Sequence, residues 1–288
     1  MASQAKLVVA CLILSLALIQ ISEATGGPIA TYWGVGEGHL GDLCKKKHYS
    51  YINVAYVKSF GGGKVLSPIC EGTSCIRLGE DIKACQQIGI KVLISLGGPF
   101  DTYSLISETD AQAVAKQLWN SYIDEVNFDG IDFRIENGSA LYYEYLAQTL
   151  KDFATANKKE IILSAFPGCV YPDRYLARAI HASYFDIIWI QYFNNSACQY
   201  DSTVQTPDDL LLISWTAWNL TVHDKTKLFL GIPATPIIPG YIPCEQLINT
   251  VIPNISANNS KYAGVLVWNS TYDLQTKYSS CLNGIAYE

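Results

Sequence analysis

The sequence predicts one closed (β/α)8 barrel, a TIM barrel with disulfides, and three observations lead to it. Eight short runs rich in β-branched and aromatic residues recur over about 240 residues, a length that suits such a barrel. Helical patterns separate them. No glycine-rich phosphate loop follows the first run: TYWGVGEG (31–38) has glycines but not the GxGxxG spacing of a doubly wound open sheet, the competing fold.

The runs, in order, are IATYWG (29–34), YINVAYV (51–57), KVLISLGG (91–98), FDGIDFRIE (128–136), IILSAFP (161–167), FDIIWIQYF (185–193), KLFLGIPA (227–234) and YAGVLVWNS (262–270). Most are nearly continuous in apolar residues, as strands covered on both faces require. The fourth departs from this. Asp132, Arg134 and Glu136 alternate with Ile131, Phe133 and Ile135, so one face is charged and the other oily. The clearest helical segments are DAQAVAKQLWNSYIDEV (110–126) and ALYYEYLAQTLKDFATANKK (140–159). The second is expected to start from Ser139 as N-cap and to close on Lys158 and Lys159, which suit the negative end of the helix dipole.

Composition narrows the function. The 288 residues are 49% hydrophobic, with 21 Gly and 11 Pro, and fit one large domain. Net charge is −6 and the only basic cluster is Lys45–Lys47, so nothing would neutralise a row of phosphates and a nucleic-acid partner is excluded. Residues 1–24 read as a signal peptide: Lys6, then LVVACLILSLALIQI, then Ser22-Glu23-Ala24. An apolar core of about 15 residues is short for a membrane span. The mature barrel is expected over 25–288, secreted to the apoplast or held in the vacuole, monomeric and without a membrane partner.

Without Cys11, eight cysteines remain, an even number that favours disulfides in a secreted chain. There is no CxxC pair and no histidine cluster, so no metal is expected; His39, His48, His181 and His223 are scattered. GGGK (61–64) lacks the Ser or Thr that would follow in a phosphate loop, so it reads as a flexible loop and no cofactor is expected. Six N-x-S/T sequons, at Asn137, Asn194, Asn219, Asn254, Asn258 and Asn269, are glycosylation candidates. Of the three just past strand ends, Asn194 is expected to be too buried for modification.

A barrel's site lies where its strands end. Those ends bring Tyr32, Glu136, Phe166, Phe193 and Trp268 to one mouth, an acid ringed by aromatics. Such a ring can form a sugar-stacking floor, with Tyr32 and Trp268 as candidates, or can simply be core.

DGIDFRIE resembles the strand-four signature DGxDxDxE of the family-18 glycoside hydrolases. Asp129, Gly130, Asp132 and Glu136 match, and Arg134 departs. YWG, YSYINVAYV, GIKVLISLGG, CVYPDRYL, QYFNNSACQY and VWNS, in order along the chain, look like plant class III chitinases and their chitinase-like relatives. The resemblance implies the disulfides Cys44–Cys85, Cys70–Cys75 and Cys169–Cys198. Cys244 and Cys281 lie outside that usual set and, once the resemblance has assigned the other six, are expected to pair.

The resemblance also implies a substrate-assisted retaining mechanism. A glutamate protonates the leaving oxygen, the substrate's acetamido oxygen attacks, and an aspartate and a tyrosine hold the acetamido group. On this sequence the acid is Glu136, the aspartate position is Arg134, and the tyrosine position is Phe193. Tyr192 cannot substitute, since one step along a strand reverses the face. A guanidinium beside a carboxylate lowers its pKa by about 1–3 units, the reverse of what a general acid needs. An Asp132–Arg134–Glu136 ion network is therefore expected, with Glu136 a vestigial acid and ion-pair partner. Three roles stay open: a non-hydrolytic plant-defence protein, an active endochitinase using Glu136, and a seed storage-type protein. For the first, the partner is a microbial xylanase or other glycosidase, or a chitooligosaccharide bound as by a lectin.

Overall fold

The computed structural model describes residues 26–34, 37–70, 72–100, 102–257 and 260–284. The expected signal peptide, Cys11 and the Asn258 sequon lie outside the described residues.

The eight runs form eight parallel strands in sequence order, closed by pairing of the first with the last. The strands are β1 (Ile29–Gly34), β2 (Tyr51–Val57), β3 (Lys91–Gly98), β4 (Gly130–Ile135), β5 (Ile162–Ala165), β6 (Ile187–Gln191), β7 (Lys227–Pro233) and β8 (Tyr262–Trp268). The outer helices are α1 (Leu40–Lys45), α2 (Thr73–Gln87), α3 (Glu108–Leu118), α4 (Tyr143–Asn157), α5 (Ala177–His181) and α6 (Asp209–Thr221). After β7 comes α7, in three contiguous segments, Cys244–Gln246, Leu247–Val251 and Ile252–Ser256. Two short helices, α8 (Ser270–Thr276) and α9 (Tyr278–Asn283), follow β8.

Alternation along the strands builds two cores. Outward residues such as Ile131, Phe133 and Ile135 pack under the helices. Inward residues, among them Tyr32, Phe166, Trp189, Phe193 and Phe229, fill the barrel itself. The interior is packed with rings, not open.

Two local expectations need correction. Ser139 does not cap α4. Its hydroxyl accepts from Leu141 N at 3.1 Å, closing a short side-chain turn, and the helix starts after Tyr142 in the left-handed region (φ 74°). A serine that bonds two residues on is held in its own turn and cannot serve the later helix. GGGK is not a loose loop either: Gly62 N donates to Asp110 Oδ2 at 2.8 Å and Lys64 Nζ to Thr102 O at 2.8 Å.

Four disulfides join Cys44–Cys85, Cys70–Cys75, Cys169–Cys198 and Cys244–Cys281. The last ties α7 to α9 across a sequence separation of 37. A loop of that length restricts the unfolded chain by about 3–4 kcal/mol. Replacing both cysteines by alanine is therefore expected to lower Tm by roughly 10 °C, read by calorimetry. A change within error would show that the bridge does not constrain unfolding.

The rings carry a second consequence. Burial raises the pKa of Tyr32, Tyr56, Tyr143, Tyr192, Tyr262 and Tyr278, and pushes Tyr122 up to about 12. Above pH about 10 an unfolded tyrosine loses its proton while these keep theirs, so the folded chain binds more protons and stability falls as pH rises. The slope is about 1.4 kcal/mol per pH unit for each such tyrosine. In an alkaline titration the phenolate absorbance of these rings is expected to appear together with loss of near-UV dichroism. Their ionisation in a fully folded chain would contradict this.

Candidate functional site

The site is built from the end of β4. Tyr103 fixes that end: its hydroxyl accepts from Glu136 N (2.9 Å) and Asn137 N (3.2 Å) and donates to Gly98 O (2.8 Å). Gly97 (φ 89°) lets β3 pass against the Arg134 carbonyl, where a Cβ would collide.

Asp132 and Arg134 both point into the barrel, at 0% and 5% exposure, but at different depths. Asp132 lies in the deeper layer. Strand register sets Ser95 and Ser164 level with it, and its carboxylate accepts from Ser95 Oγ (2.7 Å), Ser164 Oγ (2.7 Å), Tyr32 Oη (2.5 Å) and Trp189 Nε1 (3.2 Å). Burial nevertheless raises its pKa above the ordinary value, outweighing these donors.

Arg134 extends upward instead. Its Nε donates to Glu136 Oε1 and its Nη1 to Tyr56 Oη. The expected three-membered ion network is thus corrected: Arg134 pairs with Glu136, while Asp132 has no ion pair within 4 Å among the described residues. A long side chain rising along the strand leaves the deeper acid to neutral donors, which satisfy it in place of a charge.

The guanidinium carbon lies 4.2 Å from the Trp268 ring centre, 4.9 Å from Phe166, 5.3 Å from Tyr56 and 5.4 Å from Tyr32. Four rings surround one cation at contact distance, a cage in which ring quadrupoles replace its lost water. The sugar-stacking candidates are corrected by the same geometry. Tyr32 is 2% exposed with its hydroxyl committed to Asp132, so it offers no platform. Trp268 is half-buried and carries the guanidinium over its ring, so that face is closed to a sugar.

Phe193 belongs to the interior cluster, its ring 5.8 Å from Trp268 and 6.2 Å from Phe166. Tyr192 faces the other way, where its hydroxyl meets Ser214 Oγ at 3.1 Å under α6. No tyrosine hydroxyl of β6 therefore reaches the cage. Beside it, Glu136, Gln191, Asn195 and Tyr175 line a cavity of about 310 Å³. The Glu136 side chain keeps 32% exposure there.

Tyr56 was absent from the sequence-derived site. Strict alternation would set it on the outer face of β2, but a register shift between Val54 and Val57 turns it into the mouth. Ser95 and Ser164 did leave a trace, as small polar residues inside two apolar runs. The sequons divide. Asn194 is exposed, contrary to expectation, because it lies beyond the last pairing of β6; Asn254 is exposed too. Asn137 is half-buried with Nδ2 donating to Phe100 O (3.1 Å), and Asn269 caps α8 through Tyr272 N (3.2 Å). The half-buried Asn219 accepts from Lys261 N (2.8 Å). Among the described residues no group of three His, Cys, Asp or Glu side chains could hold a metal.

The structure is an eight-stranded parallel (β/α)8 barrel with a carboxylate at the end of β4 and aromatics around it. The pattern of the glycosyl hydrolases family 18 matches residues 29–237. The chain belongs to that family. It is 42% identical to endochitinase Ziz m 1.0101 of Ziziphus mauritiana, over 98% of this chain and 93% of that protein. It resembles the ICChI chitinase of Ipomoea carnea at TM-score 0.81 and 37% identity, over 90% of this chain and 99% of the other. It also resembles the xylanase and alpha-amylase inhibitor protein XAIP-II of Scadoxus multiflorus at TM-score 0.82 and 33% identity, with the same coverage.

Proposed function

We propose that this family-18 barrel does not hydrolyse chitin and that it is a secreted plant-defence protein inhibiting a microbial glycosidase, a xylanase first. The observation supporting this is Arg134 in its cage. The position where the family's mechanism needs an acceptor for the acetamido group carries a donor with a fixed positive charge. That donor also fills the volume between Trp268, Phe166, Tyr56 and Tyr32. Phe193 brings no hydroxyl to replace the missing one. An inhibitor acts through its outer surface, so a filled mouth costs it nothing, and the likeness to the Scadoxus inhibitor agrees with this reading.

A second reading rests on the cavity beside Glu136. At about 310 Å³ it lies at the lower end of ligand-site volumes and could hold part of a chitooligosaccharide as a lectin does. One panel tests both: chitin hydrolysis, inhibition of microbial xylanases, and calorimetric titration with chitooligosaccharides. Inhibition without turnover is expected. Turnover lost in Glu136→Gln would make the protein an endochitinase like its Ziziphus relative, and saturable sugar binding without inhibition would make it a lectin.

A further inference from the structure

A groove lies at the opposite end of the barrel from Glu136. It has a volume of about 830 Å³, where strands begin and α4 ends. In such barrels that face ordinarily serves stability, not ligands. Its charge is opposite in sign to that of the chain as a whole, whose net charge is −6. Six lysines and three acids line it.

Two of the three acids are neutralised within the fold; the third, Glu160, is exposed and has no ion pair among the described residues, so it offsets one of the groove's positive charges. Asp129 pairs with Lys91 at 2.8 Å and also accepts from Val92 N. Asp186 pairs with Lys151 at 2.7 Å and accepts from Leu163 N. Lys159 is committed to the Ile123 carbonyl. That leaves Lys158, Lys225 and Lys227, all exposed and none with a carboxylate in ion-pair range among the described residues. The floor is not charged. Tyr51, Ile161 and Ile187 form it, and the half-buried Tyr51 ring is held edge-on by Trp189 (5.5 Å) and Phe229 (5.7 Å) from the interior layer.

Three unpaired ammonium groups around an apolar floor with a fixed aromatic ring select for spaced single negative charges on a carrier with apolar faces. A compact phosphate suits it poorly. The helix end here is the C-terminus of α4, whose carbonyl dipole repels concentrated negative charge, and no helix N-terminus offers amides. We propose that this groove binds an acidic oligosaccharide, with uronate carboxylates paired to Lys158, Lys225 and Lys227 and a sugar ring resting on Tyr51.

The test is calorimetric titration of the purified protein with a galacturonate tetramer. Saturable binding is expected, weakening with added salt. It should fall about tenfold in the triple variant Lys158→Gln/Lys225→Gln/Lys227→Gln, the sum of three exposed charge contacts. The variant Lys45→Gln/Lys46→Gln/Lys47→Gln removes the same charge elsewhere and should bind like the parent. The three groove positions are exposed, so the variants should unfold at the parental temperature. No saturable binding to the parent, equal losses in the two triple variants, or tighter binding of inorganic phosphate or of a neutral N-acetylglucosamine tetramer would each overturn the proposal.

Discussion

The double variant Arg134→Asp/Phe193→Tyr is expected to cleave chitooligosaccharides at least about 10³-fold faster than the parent chain, whose rate should lie at background. Two groups are restored together. Aspartate at 134 supplies an acceptor for the acetamido N–H and empties the cage, and tyrosine at 193 supplies a donor to the acetamido oxygen. One oriented donor in such a site is worth about 10²–10³ in rate. Because the groups act on the same amide, their effects are not additive, and either change alone should recover little. Glu136 remains at the mouth to act as acid, so adding Glu136→Gln must return the double variant to background. The measurement is initial rate on a chitooligosaccharide. A correctly folded double variant that binds the sugar without cutting it would show that the defect lies elsewhere than in these two positions.

Asp132→Ala is expected to cost about 3 kcal/mol, from the unpaired donor and the space the carboxylate leaves. Asp132 is fully buried and accepts from four donors on β1, β3, β5 and β6. Each buried donor left unpaired costs about 1–3 kcal/mol. The tyrosine and serine hydroxyls can re-aim, but Trp189 Nε1 cannot. Domains of this kind are stable by about 5–15 kcal/mol in total, so the variant should unfold at much lower denaturant or fail to accumulate. Arg134→Met is the contrast. It leaves Glu136 without its partner, which is costly for a buried carboxylate. The Glu136 side chain keeps 32% exposure and can be rehydrated, and an apolar chain still fills the space among the rings, so the loss should be smaller than for Asp132→Ala. Urea midpoints of the two variants test the distinction. A small shift for Asp132→Ala would mean that water or a neighbour replaces the carboxylate.

Much of the architecture was legible in the sequence because it depends on local rules. Eight apolar runs separated by helical patterns could close only in a few ways, and alternation in FDGIDFRIE correctly set Asp132 and Arg134 on the inner face and Phe133 on the outer. Alternation also separated Phe193 from Tyr192. It says which face a residue takes but not how far its side chain travels. Arg134 spans from its strand to Trp268 on β8, whereas Asp132 reaches only its own layer, so the three charges of β4 do not form one network. The cage was hidden for a related reason. Its members come from β1, β2, β8 and the segment just after β5, and Tyr56 enters only through a register shift that no periodicity records. The Ser139 cap failed because a serine has more than one backbone donor to choose from. Ser95 and Ser164 show what a closer reading would have found, since an inward serine in an apolar strand asks for a polar neighbour at the same height.

The cage has one more consequence. Its occupant is tethered to β4 by its own side chain, so it competes at an effective concentration that a diffusing sugar in solution does not match. Saturating chitooligosaccharide should therefore leave the melting curve where it was, whereas a vacant cleft would answer its ligand with a thermal shift.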